Sequence, residues 1–359
     1  MEQLLFAVGP VKMHPETCRV GGEELPYFRT AEFSRLMLDA EADYLRLLSA
    51  PEGSRAVFLS CSGTGGMEAI ASCVLGKEDK ALVIDGGGFG HRFVELCRFY
   101  GVEHEALELR PGQMLTEERL FAVNTEGMTA LLVNLHETST GTLYDIGMLG
   151  RFCKERGLLF VIDAVSAFLC EDINMAAAGA DVVLTASQKA LACAPGMALL
   201  ALSPRAQEKI GKTEQRSYYL SLQSALDNGK RGQPPFTLSE SVMLQVSHRL
   251  RGLQNGGMEQ ERALMQQNAD FFRREMARYP FTLFSENPAL GCTALRTPEN
   301  LSAHELFLTL KDEYGICVCP NGGALRDTVF RVGHMGDLCR EDYLRLLSAF
   351  DDLQRRGKL

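Results

Sequence analysis

Long apolar runs are missing from this chain. The longest strand-like ones, Gly157 to Ile162 and Met197 to Leu202, fall far short of the roughly 20 residues a membrane span needs. No His-x3-His spacing and no His-Cys cluster occurs among the seven histidines, so a metal site has no support. The eleven cysteines include no Cys-x-x-Cys pair and their number is odd. That usage argues against a disulfide framework and for a reducing, cytoplasmic setting. Cys317 and Cys319 project to one face of an apolar run, as core packing or as a reactive thiol. Basic residues are outnumbered, 37 against 46, for a net charge of −9. Nucleic acid and anionic membrane are therefore poor partners, although local basic pockets for anions remain open. The start, Met1 to Phe6, lacks a basic stretch followed by a long apolar one, so no secretory leader is expected.

What is present is a globular composition, 46% hydrophobic and 23% charged over 359 residues, long enough for two domains. From about 55 to 210, short apolar runs alternate with helical stretches. The runs are Ala56–Ser60, Ala81–Asp85, Ala130–Asn134, Leu158–Ile162, Val182–Leu184 and Met197–Ala201. Continuous apolar strands separated by amphipathic helices predict a mostly parallel sheet covered on both faces. Residues 212–237 break that rhythm with the turn-rich Gly229-Lys230-Arg231-Gly232-Gln233-Pro234-Pro235. Beyond it, helices near 240–251 and 260–278 precede short strands at 281–284, 316–319 and 328–332. That is an α+β pattern.

Asp163 closes the run Leu158 to Ile162, and Lys189 follows the next strand in Ser187-Gln188-Lys189. An acid at the end of a buried strand is costly unless a cation meets it. In a parallel sheet both residues emerge at one edge, where α/β folds bind ligands. Pyridoxal phosphate calls for that pair, because its aldehyde condenses with a lysine and its ring nitrogen pairs with a carboxylate. Other strand ends fit the same ligand. Ser62-Gly63-Thr64-Gly65-Gly66 opens a helix after the first strand, as a phosphate cradle or merely as a tight turn. Phe89 rides on Asp85-Gly86-Gly87-Gly88, either flat on a heteroaromatic ring or packed beneath its own loop. Glu137-Thr138-Ser139-Thr140-Gly141 follows a third strand, and Thr138 either contacts a cofactor or satisfies its own turn. Val165 follows Asp163 closely enough to cover one ring face.

With Pro195-Gly196 behind Lys189, with Gly9-Pro10, Gly232 to Thr237 and Phe330 to Leu338, these motifs resemble the class V pyridoxal-phosphate aminotransferases. Within them the chain is similar to the alanine–glyoxylate, serine–pyruvate and 2-aminoethylphosphonate–pyruvate branch. The resemblance implies fold type I, α/β: a seven-stranded, mostly parallel large domain with a smaller α+β domain, assembled as a homodimer. The corresponding divisions are an N-terminal segment, 1–20, near the small domain and active site, a cofactor domain, 21–237, and a small domain, 238–359. It further implies Lys189 as the residue condensing with the cofactor and Asp163 as partner of its ring nitrogen. Phe89 takes the stacking place. Ser62, Gly63, Thr64 and Gln188 hold the phosphate, joined by Thr237 from the partner subunit. Thr138 contacts the ring-oxygen region. Arg331 clamps a substrate carboxylate, where the residue type alone equally allows an interdomain salt bridge.

The activity so implied is ping-pong transfer of an amino group. The donor is 2-aminoethylphosphonate, alanine or serine, and the acceptor is pyruvate or glyoxylate. Lys12 and Arg29 are candidates for recognising the donor. Cysteine desulfurases and related lyases of the same fold are the alternative, but they place histidine before the lysine, where Gln188 stands here. A regulatory, non-catalytic role would need loss of Lys189 or Arg331, and both are present.

Overall fold

A computed structural model describes residues 3–359. Seven strands form the larger sheet, in the order Arg55–Leu59, Ala198–Leu202, Val182–Ala186, Leu159–Asp163, Ala130–Asn134, Lys80–Asp85 and Glu103–Glu108. Ala198–Leu202 runs antiparallel to both neighbours, and the remaining pairings are parallel. Alternation explains the continuous apolar runs. Phe160 and Ile162 enter one core cluster while Leu159 and Val161 enter the cluster on the opposite face. Both faces of the central strands are thus dry, as a doubly covered parallel sheet requires.

The edge strand Glu103–Glu108 is the one the apolar pattern misses. It reads Glu-His-Glu-Ala-Leu-Glu and is largely solvent-exposed. Charges on an exposed edge also discourage pairing with foreign strands.

The second sheet has five strands, ordered Leu4–Phe6, Ile316–Pro320, Val329–Gly333, Cys292–Arg296 and Thr282–Leu283. Its core is built from Phe6, Phe272, Leu310, Phe330, Tyr343 and Phe350. The start of the chain therefore belongs to the sheet formed by its end, with Leu4 to Phe6 parallel to Ile316 to Val318. The helix Glu240–Gly252, grouped with the second domain on sequence, buries Met243, Val246 and Leu250 in the cluster of the large sheet. The next helix, Gly257–Glu275, bridges the two cores: Met265 and Ala269 face one cluster and Phe272 the other. Among the described residues no helix is long and apolar enough to cross a membrane, and no group of His, Cys, Asp or Glu is arranged to hold a metal ion.

Candidate active site

Parallel strands deliver their carboxyl ends to one edge, and the predicted residues collect there. A cavity of about 280 Å³ is lined by Ser62, Gly63, Thr64, Phe89, Thr138, Asp163, Val165, Gln188 and Lys189. Nine residues chosen from separate segments of sequence thus share one wall.

Asp163 is buried at the tip of its strand. Its Oδ1 accepts the Val165 amide at 2.9 Å, and its Oδ2 accepts Asn134 Nδ2 at 2.7 Å. Burial nevertheless pushes the carboxyl up to about 6, because these two donors and Lys189 only partly offset desolvation. Lys189 is buried as well, and the same effect lowers its pKa. Its Nζ donates to the Val8 carbonyl. The lysine turn is held rigid by Ser187, whose Oγ donates to Ala194 O at 2.7 Å.

The helix Gly63–Cys73 begins at Ser62, whose hydroxyl makes no capping bond and whose first turn carries no acid. Its opening N–H groups and the Ser62 hydroxyl are left for an anion. Glycine at 63 is enforced by packing, since a Cβ there would lie 2.9 Å from Val165 Cγ2. Phe89 sits in the first turn of the helix Gly88–Tyr100. Buried Glu137 fixes that turn by accepting the amides of Phe89 at 3.0 Å and Gly90 at 2.9 Å on Oε2. Its Oε1 accepts the Ser139 amide at 3.0 Å.

Four predicted residues stand apart. Thr237 is exposed and does not line the cavity of its own chain. Arg331 is buried behind the Thr138 wall, with Nη1 donating to Thr138 O at 2.9 Å and Nη2 to Pro320 O at 2.5 Å. Its Nε has no hydrogen-bond partner among the described residues. Arg29 bonds Gln233 and Pro234, and Lys12 pairs with Asp342, so neither lines the cavity.

The structure adds residues the motif reading passed over. Asn134 ends an apolar strand just as Asp163 does, so a polar residue at that position was a visible signal. Ser166 accepts the Thr138 hydroxyl at 2.6 Å. Arg92, one helical turn beyond Phe89, donates to Thr64 Oγ1 at 3.1 Å with its guanidinium 4.7 Å from the Phe89 ring centre. Gly9 and Pro10, by contrast, are among the sequence motifs and line the cavity from the N-terminal segment.

These surroundings fit pyridoxal phosphate. A buried acid, a buried amine, an uncapped helix start and an aromatic ring surround one space. Asn134 Oδ1 and Gln188 Oε1 are buried there without protein partners, as polar atoms awaiting a ligand would be.

Comparison with known proteins points the same way. The family described as aminotransferase class-V matches residues 27–340. A soluble hydrogenase 42 kDa subunit of Anabaena cylindrica is 29% identical over 97% of this chain and 92% of its own length. L-aspartate–glyoxylate aminotransferase of Paracoccus denitrificans is 26% identical over 93% of this chain and 86% of its own. Among solved structures, a subgroup IV aspartate aminotransferase of Thermus thermophilus superposes with a TM-score of 0.89 at 26% identity, covering 98% of each chain.

Proposed function

This chain belongs to the class-V aminotransferases, pyridoxal-phosphate enzymes, and we propose that it carries an amino group from a small amine or amino acid to pyruvate or glyoxylate in two alternating half-reactions. The observation that carries this reading is the convergence of Asp163, Lys189 and the Ser62–Thr64 helix start on one cavity.

Pyridoxal phosphate supplies an aldehyde that captures the amine and a ring that draws negative charge away from the donor carbon. The protein's part is positioning and proton control. Lys189 would hold the cofactor, and its Nζ would be the base that takes the proton from the donor carbon. Its burial favours the neutral amine that this step needs. Asp163 keeps the ring nitrogen protonated, with Asn134 fixing the carboxylate. Ser62, Gly63, Thr64 and Gln188 hold the phosphate. Phe89 and Val165 cover the ring faces, and Thr138 contacts the ring-oxygen region. Arg331 receives a substrate carboxylate.

The active unit in this reading is a homodimer in which Thr237 of one protomer completes the other's phosphate site. Beside Thr237, Tyr219 stacks on Phe236 with ring centres 5.5 Å apart. Tyr218 and Tyr219 are 86% and 49% exposed, an aromatic surface that a second copy would cover.

A half-reaction screen tests the function. Alanine, serine, aspartate and 2-aminoethylphosphonate are offered singly, and the cofactor's absorption bands are followed. A productive donor shifts the bands and releases one equivalent of oxo product, and pyruvate or glyoxylate restores them. Failure of every pair to exchange amino groups would exclude this donor and acceptor class.

A further inference from the structure

Lys189 has a single hydrogen-bond partner among the described residues, the main-chain carbonyl of Val8. Among the described residues it forms no ion pair, and Asp163 acts on it only through space. A buried amine held by one carbonyl is unusual, since buried cations are ordinarily paired. The partner belongs to a segment whose two ends are fixed elsewhere. At one end, Leu4 to Phe6 pair with Ile316 to Val318, and the Leu4 amide donates to Gly315 O at 2.9 Å. At the other, the Asp337 amide donates to Lys12 O at 2.9 Å, and Lys12 Nζ reaches Asp342 Oδ2 at 3.3 Å. All four anchoring positions, Gly315, Ile316–Val318, Asp337 and Asp342, lie in the C-terminal unit. Only the middle of the segment touches the large sheet's lysine.

That touch is close. Gly9 has φ +124°, and a Cβ on it would stand 2.5 Å from Lys189 Cδ and 2.8 Å from Cε. Glycine is favoured there by the backbone angle, and its missing Cβ lets the lysine tail lie against it.

We propose that residues 4–12 form a strap that docks the free Lys189 amine on the Val8 carbonyl and so ties the state of that amine to the C-terminal sheet. The inference rests on the reading of Lys189 as the residue that parts from the cofactor and rejoins it. Each time Lys189 is released, its Nζ needs a partner inside a dry cavity. When it takes a proton from the donor carbon, the C–H electron pair stays with the substrate and positive charge appears on Nζ. The Val8 carbonyl stands where that charge develops, and a carbonyl bonds an ammonium more strongly than a neutral amine. Because the carbonyl lies two residues beyond the small-sheet strand Leu4–Phe6, movement of that sheet changes how well the amine is held.

The titratable groups around Lys189 are Asp163 and His136 from the large sheet side, Cys170 from the loop after it, and Cys292, Cys319 and Arg331 from the small sheet. A strap effect must therefore be read as a difference between variants with all six intact.

The test is competitive acylation of the cofactor-free full-length protein with acetic anhydride across pH. Each lysine is quantified by peptide mass spectrometry, with exposed Lys358 as internal reference. Gly9→Ala crowds the Lys189 tail and parts its Nζ from the Val8 carbonyl, and Lys12→Met removes the side-chain half of the distal anchor, the contact with Asp342, without touching the cavity. With the carbonyl withdrawn, the ammonium loses its partner and the half-titration point of Lys189 falls. The expected shift is about half a pH unit or more in Gly9→Ala, equivalent to about a threefold faster acylation near neutrality. Lys12→Met shifts the same way by less. Wild-type titration of Lys189 in both variants, with native circular dichroism, overturns the strap. Should Gly9→Ala not fold, an unshifted Lys12→Met/Asp337→Pro double variant, which lacks both distal contacts, overturns it alone. Uptake of pyridoxal phosphate by the same wild-type sample reports separately on the functional reading, so that reading and the strap fail by different signals.

Discussion

Asn134 and Asp163 face each other across a parallel pairing of strands, with Asn134 Nδ2 2.7 Å from Asp163 Oδ2. One side chain thereby aims the other into the cavity. Asn134→Leu leaves Asp163 with only the Val165 amide as donor. The expected loss is on the order of tenfold in the proton-transfer half-reaction, about 1.4 kcal/mol. Cofactor content should be retained, and stopped-flow absorbance measures the rate. An unchanged rate would mean that Asp163 needs no orienting partner.

Asp163 also sets a pH dependence for the cofactor-free protein. Its carboxyl rises from the ordinary 3.8 to about 6 through burial. The native state therefore keeps a proton that the unfolded chain has already lost between those values. Stability from this group is fully present below the unfolded value and is lost as pH rises through about 6. Asp163→Asn removes the dependence. Denaturant unfolding should show the asparagine variant gaining on wild type by up to roughly 3 kcal/mol between pH 4 and 7. A gap that stays constant with pH would contradict this.

Glu137 holds the loop that carries Phe89. Glu137→Ala strands the amides of Phe89, Gly90 and Ser139. A stability loss of about 2–4 kcal/mol is expected from unsatisfied buried donors. The visible circular dichroism of the bound cofactor should change with it, since the stacking ring moves. A lower melting temperature with an unaltered visible band would detach Phe89 from the cofactor.

The strand-end residues were legible because a parallel sheet writes itself as continuous apolar runs and places whatever follows them at one edge. Asp163, Lys189, Ser62 and Phe89 could be gathered on that rule alone. Asn134 and Arg92 obeyed the same geometry, one closing a strand and one a helical turn beyond Phe89, yet neither carries a motif. The edge strand Glu103–Glu108 was hidden because exposure leaves no apolar pattern. The pairing of Leu4 to Phe6 with Ile316 to Val318 had no local signature at all, since its partner lies at the far end of the chain. Helix Glu240–Gly252 was periodic and easily seen, but periodicity does not say which of two cores receives its face.

Arg331 separates two roles. Its Nη groups rest on Thr138 O and Pro320 O, while Nε is unpartnered. Arg331→Lys keeps the charge but loses the planar fork. If a carboxylate is clamped there, kcat/KM for oxo acids falls by roughly 2–4 kcal/mol of transition-state stabilisation with cofactor still bound. A lowered melting temperature with unchanged kinetics per folded enzyme would make Arg331 a tie between the two units.

Exposed Thr237 does not line the Lys189 cavity of its own chain, so its place in a phosphate site depends on a second protomer. Inactive Lys189→Ala and inactive Thr237→Val chains, mixed and refolded together, should regenerate part of the activity, because one of the two sites in the heterodimer is then intact. A monomer fully active at high dilution would rule the arrangement out.

The most direct measurement is chemical. Borohydride reduction of the purified protein, loaded with pyridoxal phosphate, followed by peptide mapping, should place the pyridoxyl group on Lys189 and nowhere else. A label on another lysine, or no cofactor bound after reconstitution, would contradict the assignment of Lys189 and Asp163 as the centre of this site.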